Sequence, residues 1–201
     1  MTSDLHEFLR TRRSIRCFHP DPVPAALIER ILETATYSPS AHDKQPWRFV
    51  VVTTAEARFK LAQAVTDKFR LDMTRAGTPQ KEIQERIDRT TRRTNEAPVI
   101  VILCRDVPRV NPQPDPITQQ AEVIMARQSV AAAGLQLLLA AHAEGLGGTW
   151  ICWPLFAPAE ITSALDLSPD WEPQGMVFLG SPGEDPATPE RTPIQEIVKY
   201  L

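Results

Sequence analysis

The chain has 201 residues, 42% of them hydrophobic, a formal net charge of −3 and a pI near 5.8. These values allow one domain with a sizeable core, residues 1–201, and exclude a disordered chain and a generic nucleic-acid binder, which needs a basic surface. Cys17, Cys104 and Cys152 lack the paired spacing of a disulfide framework or a zinc site and suit a reducing, cytoplasmic setting.

The first residues, with Asp4, His6 and Glu7, do not form a basic-then-apolar secretory leader. Residues 4–13 are predicted as a first helix. Pro24, in a first helical turn, introduces Leu27, Ile28, Ile31, Leu32 and Ala35 at helical spacing. Residues 49–53 read as a buried strand. Residues 55–75 and 79–94 read as helices broken at Gly77-Thr78-Pro79. A strand over 99–104 follows, then an extended loop over 105–118 with prolines at 108, 112, 114 and 116, able to cover a site.

The longest predicted helix, 119–144, is apolar on most faces in its second half, as for a central helix covered on both sides or at a subunit interface. Its near-apolar part, 129–143, is shorter than the roughly 20 residues of a membrane span, so no membrane is expected. Gly145 is its stop. A short strand at 149–152, a helix over 158–165, a strand at 175–179 and a proline-rich tail complete the chain. Between Glu56 and Arg93, ten Lys or Arg stand against six Asp or Glu. Glu82 with Arg86 and Glu85 with Arg89 are spaced to pair one turn apart, so this region is read as a solvated face, with recruitment of an anionic substrate as the alternative.

Four segments carry chemistry. Arg12-Arg13-Ser14-Ile15-Arg16 sets three guanidinium groups and a hydroxyl within five positions, suited to phosphate oxygens; exposed arginines flanking a helix are the bland alternative. Pro39-Ser40-Ala41-His42-Asp43-Lys44-Gln45-Pro46-Trp47 makes an irregular loop whose backbone can approach a flat ring. Gly145, Gly147 and Gly148 before Thr149-Trp150 would leave main-chain amides open to a planar ligand, or simply form a helix stop and tight turn. Arg191, the lone base between Ala157 and Glu196 against eight acids, is a second phosphate ligand or a surface residue. His6, His19 and His142 read as surface or capping residues; His42, within its loop, is the exception. No metal-ligand spacing, nucleophile elbow, phosphate-binding loop or full dinucleotide motif is present, so the chemistry is assigned to a cofactor.

The stretches RRSIRCF, PSAHDKQPW, GLGGTW and RTPIQEI resemble the nitroreductase family of FMN-dependent oxidoreductases along the whole chain. The resemblance implies an α+β fold with a central, mainly antiparallel sheet flanked by helices, in an intertwined homodimer with FMN at the interface. It implies that Arg12, Arg13, Ser14 and Arg16 hold the flavin phosphate and ribityl, that Arg191 joins the phosphate, and that Pro39, Ser40, Ala41 and Asp43 approach from the partner subunit. Gly147 and Gly148 would lie near the ring. Independently of the resemblance, the place of His42 in its loop makes it a candidate gate or proton donor. Asp43 stands where the family commonly carries Asn, and repulsion from a reduced flavin predicts that its carboxylate faces away from the ring.

A narrower likeness, in Asp72-Met73-Thr74 with Gly77-Thr78-Pro79, in the helix ending Glu96-Ala97-Pro98, and in Leu165-Asp166-Leu167 with Asp170-Trp171-Glu172-Pro173, is to the C-terminal reductase domain of the FbiB proteins of coenzyme F420 biosynthesis. It implies reduction of the dehydro precursor by reduced FMN. A broad nitro or quinone reductase drawing on NAD(P)H, and a flavin or deazaflavin carrier without turnover, are the alternatives.

Overall fold

The computed structural model of the protein describes residues 4–201. Strands Trp47–Val52 (β1), Val99–Asp106 (β2), Gly147–Ile151 (β3) and Trp171–Gly180 (β4) form one antiparallel sheet in the order β1-β2-β4-β3. The helices are Leu5–Thr11 (α1), Ala25–Ala35 (α2), Ala55–Arg75 (α3), Gln80–Glu96 (α4), Pro116–Ala143 (α5), Pro158–Ala164 (α6) and the single turn Ile194–Ile197 (α7). This is the expected α+β fold.

β2 is buried along its whole length, and the pleat sends alternate side chains to opposite faces. Val99, Val101 and Leu103 join Ile31 of α2 and Val130, Ala133 and Leu137 of α5 in one core. Ile100, Ile102 and Cys104 join Leu61 and Val65 of α3 and Ile161 of α6 in the other. β4 divides its side chains in the same way, with Val177 and Leu179 on one face and Met176 and Phe178 on the other. Helices therefore cover both faces, which is why β2 reads as an unbroken apolar run. α5 is long and apolar enough to cross a membrane by length and composition, yet Val130, Ala133, Leu137 and Ala141 are fully buried against the sheet.

The ends of several elements differ from expectation. α1 stops at Thr11, two residues early: Arg12 turns to extended backbone, and Ser14 and Ile15 pair with Gly148 of β3 instead. β1 begins at Trp47 rather than residue 49. The expected 105–118 loop is shorter, since β2 continues to Asp106 and α5 begins at Pro116. Asp115 caps that helix by accepting from Thr118 N at 2.8 Å, and proline suits a first helical position. β4 starts at Trp171, not residue 175, and a register shift beside Leu103 and Cys104 accommodates Pro173 within it. The anticipated Glu82–Arg86 and Glu85–Arg89 pairs do not form: Lys81 reaches Glu85, and Arg86 lies over the Phe69 ring at 4.9 Å.

The indole of Trp150 fills a slot between two glycines. A Cβ on Gly134 of α5 would stand 2.2 Å from its Cζ3, and one on Gly175 of β4 would stand 2.8 Å from its Cζ2. The absence of both side chains lets the ring wedge between helix and sheet.

At the end of the sheet, Arg105, only 8% exposed, pairs with Glu172, which also accepts from Arg127 at 2.7 Å. Burial pushes the Glu172 carboxyl up, but hydrogen bonds from Arg105 and Arg127 outweigh it and hold the group below the ordinary glutamate value. A carboxylate held low stabilises the fold above its unfolded pKa and ceases to do so as pH falls through its folded pKa. Glu172→Gln is expected to cost about 2 kcal/mol at pH 7, less than a fully buried broken pair because Glu172 remains partly exposed. The gap between variant and wild type should shrink as pH drops from about 5 to 3, read from urea midpoints across that range.

Candidate functional site

Beyond α1, the backbone lies along β3. Ser14 forms a parallel bridge with Gly148, and Ile15 N donates to Gly148 O at 3.1 Å. Its other side is held from the chain's last part, where His19 N donates to Ser181 O and Gly183 N to Cys17 O, each at 3.0 Å. Glu184 Oε1 accepts from Arg16 N at 2.6 Å and Cys17 N at 3.2 Å. These backbone donors hold the Glu184 carboxyl below its ordinary value, while its hydrogen bond with the Cys17 thiol holds that thiol up, in its protonated form.

The glycines are inside a strand rather than in an open loop. A Cβ on Gly147 would stand 2.7 Å from Ile15 Cγ1, and one on Gly148 would stand 2.8 Å from Leu138 Cδ2. They are needed first for close packing within the chain. Gly145, at φ 75°, ends α5: Gly145 N donates to His142 O and Leu146 N to Ala141 O.

Two adjoining cavities open here and share Arg12, Arg13, Glu184 and Pro186. One, of about 440 Å³, is lined by Gly147, Gly148, Leu138 and His142. The other, of about 600 Å³, has Ser14 and the arginines at positions 12, 13, 16, 92, 93 and 191 in its wall. The expected phosphate ligands are thus brought together, including Arg191 from the tail. Among the described residues, no carboxylate lies within ion-pairing distance of the guanidinium of Arg12, Arg16 or Arg191. Arg13 is partly committed, donating to the carbonyls of Arg10 and Arg12 and so closing the end of α1.

The sequence reading missed His142, Arg92, Arg93 and Glu184. His142 stacks on Phe8, with ring centroids 4.9 Å apart, and its Nε2 lies 3.1 Å from Thr11 Oγ1. Burial, then the nearby Arg12 charge, push its pKa down, so the ring is neutral at pH 7. Its place in the last turn of α5, one turn before the glycines, was the available signal.

Pro39, Ser40, Ala41, His42 and Asp43 do not line either cavity. Their loop is fixed near the middle of α5: Ala41 N donates to Ser129 Oγ at 3.1 Å, Gln45 N to Ser40 Oγ at 3.0 Å, and Arg109 to Lys44 O at 2.9 Å. His42, Asp43 and Gln45 hold φ values of 53°, 51° and 45°, left-handed positions uncommon for non-glycine residues, with Lys44 between them at φ −72°. Asp43 Oδ1 accepts from Gln45 Nε2 at 3.1 Å, and His42 Nε2 stands 3.9 Å from Glu122 Oε1. Ser129 and His142 lie on one helix with a rise of 1.5 Å per residue, so the loop and the arginine cavities are about 20 Å apart along it.

An antiparallel sheet lies beneath a long central helix, with arginines gathered at one sheet edge, an arrangement suited to a phosphorylated ligand. Residues 9–181 match the nitroreductase family, and the chain belongs to it: an FMN-dependent oxidoreductase. It is 28% identical over 198 residues, 96% of this chain and 92% of the other, to a Bacillus subtilis protein with a provisional NAD(P)H nitroreductase name. It is 30% identical over 193 residues, 92% of this chain and 85% of the other, to the 5,6-dimethylbenzimidazole synthase of Rhodospirillum rubrum. Among solved structures, a BluB-like flavoprotein from Clostridium difficile shares the fold, with a TM-score of 0.84 at 23% identity over 98% of this chain and 99% of the other.

Proposed function

We propose that the chain acts as a single FMN-binding domain, paired with a second copy, that passes electrons from NAD(P)H to a flat acceptor such as a quinone or nitroaromatic. The observation that carries this reading is the arginine-walled cavity beside the glycine-lined one, with cations free for a phosphate at one end. Arg12, Ser14, Arg16 and Arg191 would hold the flavin phosphate and ribityl, and Arg13 would add the donors left after closing α1. Gly147 and Gly148 would lie beneath the ring, next to a neutral His142. Bound FMN supplies the hydride chemistry.

The loop of Pro39, Ser40, Ala41 and Asp43 is too far from its own cavities to complete them, which supports its supply by a second copy. An apolar surface for that pairing exists: Ile117, Ile124 and Leu135 of α5 are 79%, 45% and 51% exposed, and Leu5 and Leu9 of α1 are exposed as well. His42 of that loop, beside Glu122, would serve as gate or proton donor. The three free thiols suit a cytoplasmic setting.

Reduction of the dehydro precursor of coenzyme F420 is the second reading, favoured by the likeness at residues 72–74, 77–79, 96–98, 165–167 and 170–173. Four of those residues, Met73, Leu165, Leu167 and Trp171, pack against the core on the α3 and α6 face. Part of that likeness therefore follows from packing, and the broader reading stands first.

The test is to reduce the FMN-loaded protein with NADPH or NADH under anaerobic conditions and follow flavin absorbance on adding a quinone, a nitroaromatic or the dehydro precursor. Reoxidation by the quinone or nitroaromatic alone is the expected result. Reoxidation only by the precursor, with saturated product, would replace this reading with the second. Flavin that neither NADPH nor NADH reduces would overturn the first reading, and reduced flavin that none of the three acceptors reoxidises would overturn both.

A further inference from the structure

We propose that the larger cavity binds a second phosphoryl group beside the flavin phosphate, held by Arg92 and Arg93 of α4. This rests on the flavin phosphate lying among Arg12, Ser14, Arg16 and Arg191.

Charge is the first support. Among the described residues, six arginines face this cavity and only two acids, Glu96 and Glu184, and Glu184 is already engaged by the backbone donors of Arg16 and Cys17. A phosphate monoester carries roughly −1.5 to −2 at neutral pH, which leaves about two positive charges without a counter-charge. Geometry is the second. Arg92 and Glu96 are one helical turn apart, where ion pairs ordinarily form, yet they do not pair. Both line the cavity instead.

Arg93 is half-buried against like charges. Burial first, then Arg16, Arg89 and Arg92, push its pKa down, a cost that an anion between these groups would relieve. Size is the last support. The cavity of about 600 Å³ adjoins the separate glycine-lined space of about 440 Å³ assigned to the ring, so it has room beyond a single phosphate. Guanidinium forks match phosphoryl oxygens, and two on adjacent residues can share one group.

The second phosphoryl can be linked to the flavin, as in the diphosphate of FAD, or belong to a separate molecule. Flavin-free protein titrated with FMN and with FAD by flavin fluorescence, and FMN-loaded protein titrated with inorganic pyrophosphate by calorimetry, distinguish the two. Arg92→Gln/Arg93→Gln should bind FMN within about twofold of wild type yet lose at least tenfold, about 1.4 kcal/mol, in one of the other two affinities. Loss with FAD assigns the linked group, and loss with pyrophosphate the separate one. Arg92→Lys/Arg93→Lys, which keeps charge without forks, should fall between and guards against a misfolded variant. Unchanged FAD and pyrophosphate binding overturns the proposal, as does an equal fall for FMN and FAD, which would place both arginines in the flavin-phosphate site itself. Wild-type protein that binds pyrophosphate but not FMN would overturn the flavin assignment instead.

Discussion

Replacing Arg12 and Arg16 together with alanine is expected to lower FMN affinity about a thousandfold while leaving the melting temperature nearly unchanged. Each guanidinium is placed to make charge-assisted hydrogen bonds worth roughly 1.5–3 kcal/mol, and a combined loss near 4 kcal/mol corresponds to that factor. Among the described residues, neither side chain has a carboxylate partner whose loss would harm the fold. The segment stays seated through the Ser14–Gly148 bridge, the Ile15–Gly147 packing and the Glu184 bonds to its backbone.

Riboflavin, which lacks the phosphate, should bind the double variant and wild type alike in a fluorescence titration. A parallel loss for riboflavin would mean that the arginines shape the cavity rather than contact phosphate. Arg13→Ala makes a useful contrast. Its guanidinium closes the end of α1, so both melting temperature and FMN affinity should fall.

The second large effect is expected at Gly134→Ala. On an exposed helix this change stabilises by up to about 1 kcal/mol, so the sign alone discriminates. Here the new methyl would stand 2.2 Å from Trp150 Cζ3 and 2.6 Å from Leu103 Cδ1, both in the core beneath α5. Overpacking of this kind costs about 3 kcal/mol, which for a chain of this length lowers the melting temperature by about 10 °C in calorimetry. Adding Trp150→Phe should restore part of the loss, because the smaller ring vacates the same space and the two changes are coupled. An unchanged or raised melting temperature would show that α5 does not lie this close to the sheet.

Much of the architecture was legible because its causes are local. The apolar run of β2, the helical spacing of Ile28, Ile31 and Ala35, and the stop at Gly145 need no knowledge of distant partners. The start of α5 was missed although its cause is local too: Pro116 was read as a loop residue when, after the Asp115 cap, it is a first helical position. β4 was cut short because Pro173 argues against a strand unless the shift beside Leu103 is known. The phosphate-binding look of Arg12 to Arg16 was visible in five residues, and the structure sets Arg191, expected from the acidic tail around it, in the same wall. Glu184 and His142 were not visible in that role, since they meet Arg16 and Thr11 across 168 and 131 positions of chain. Gly147 and Gly148 have a further reason to be glycine that only the fold shows: their missing side chains admit Ile15 and Leu138 from the same chain.

The Trp150 slot has a mechanical consequence for assembly. With its indole keyed between Gly134 and Gly175, α5 can neither slide along the sheet nor roll on it, and it behaves as a rigid gauge between the Ser129-anchored loop and the His142 end. Two copies meeting across this helix would bring loop to cavity only at the one spacing the gauge allows. One residue inserted between Ser129 and His142 would turn the two ends about 100° out of phase and move them about 1.5 Å apart, detuning both half-sites without touching either.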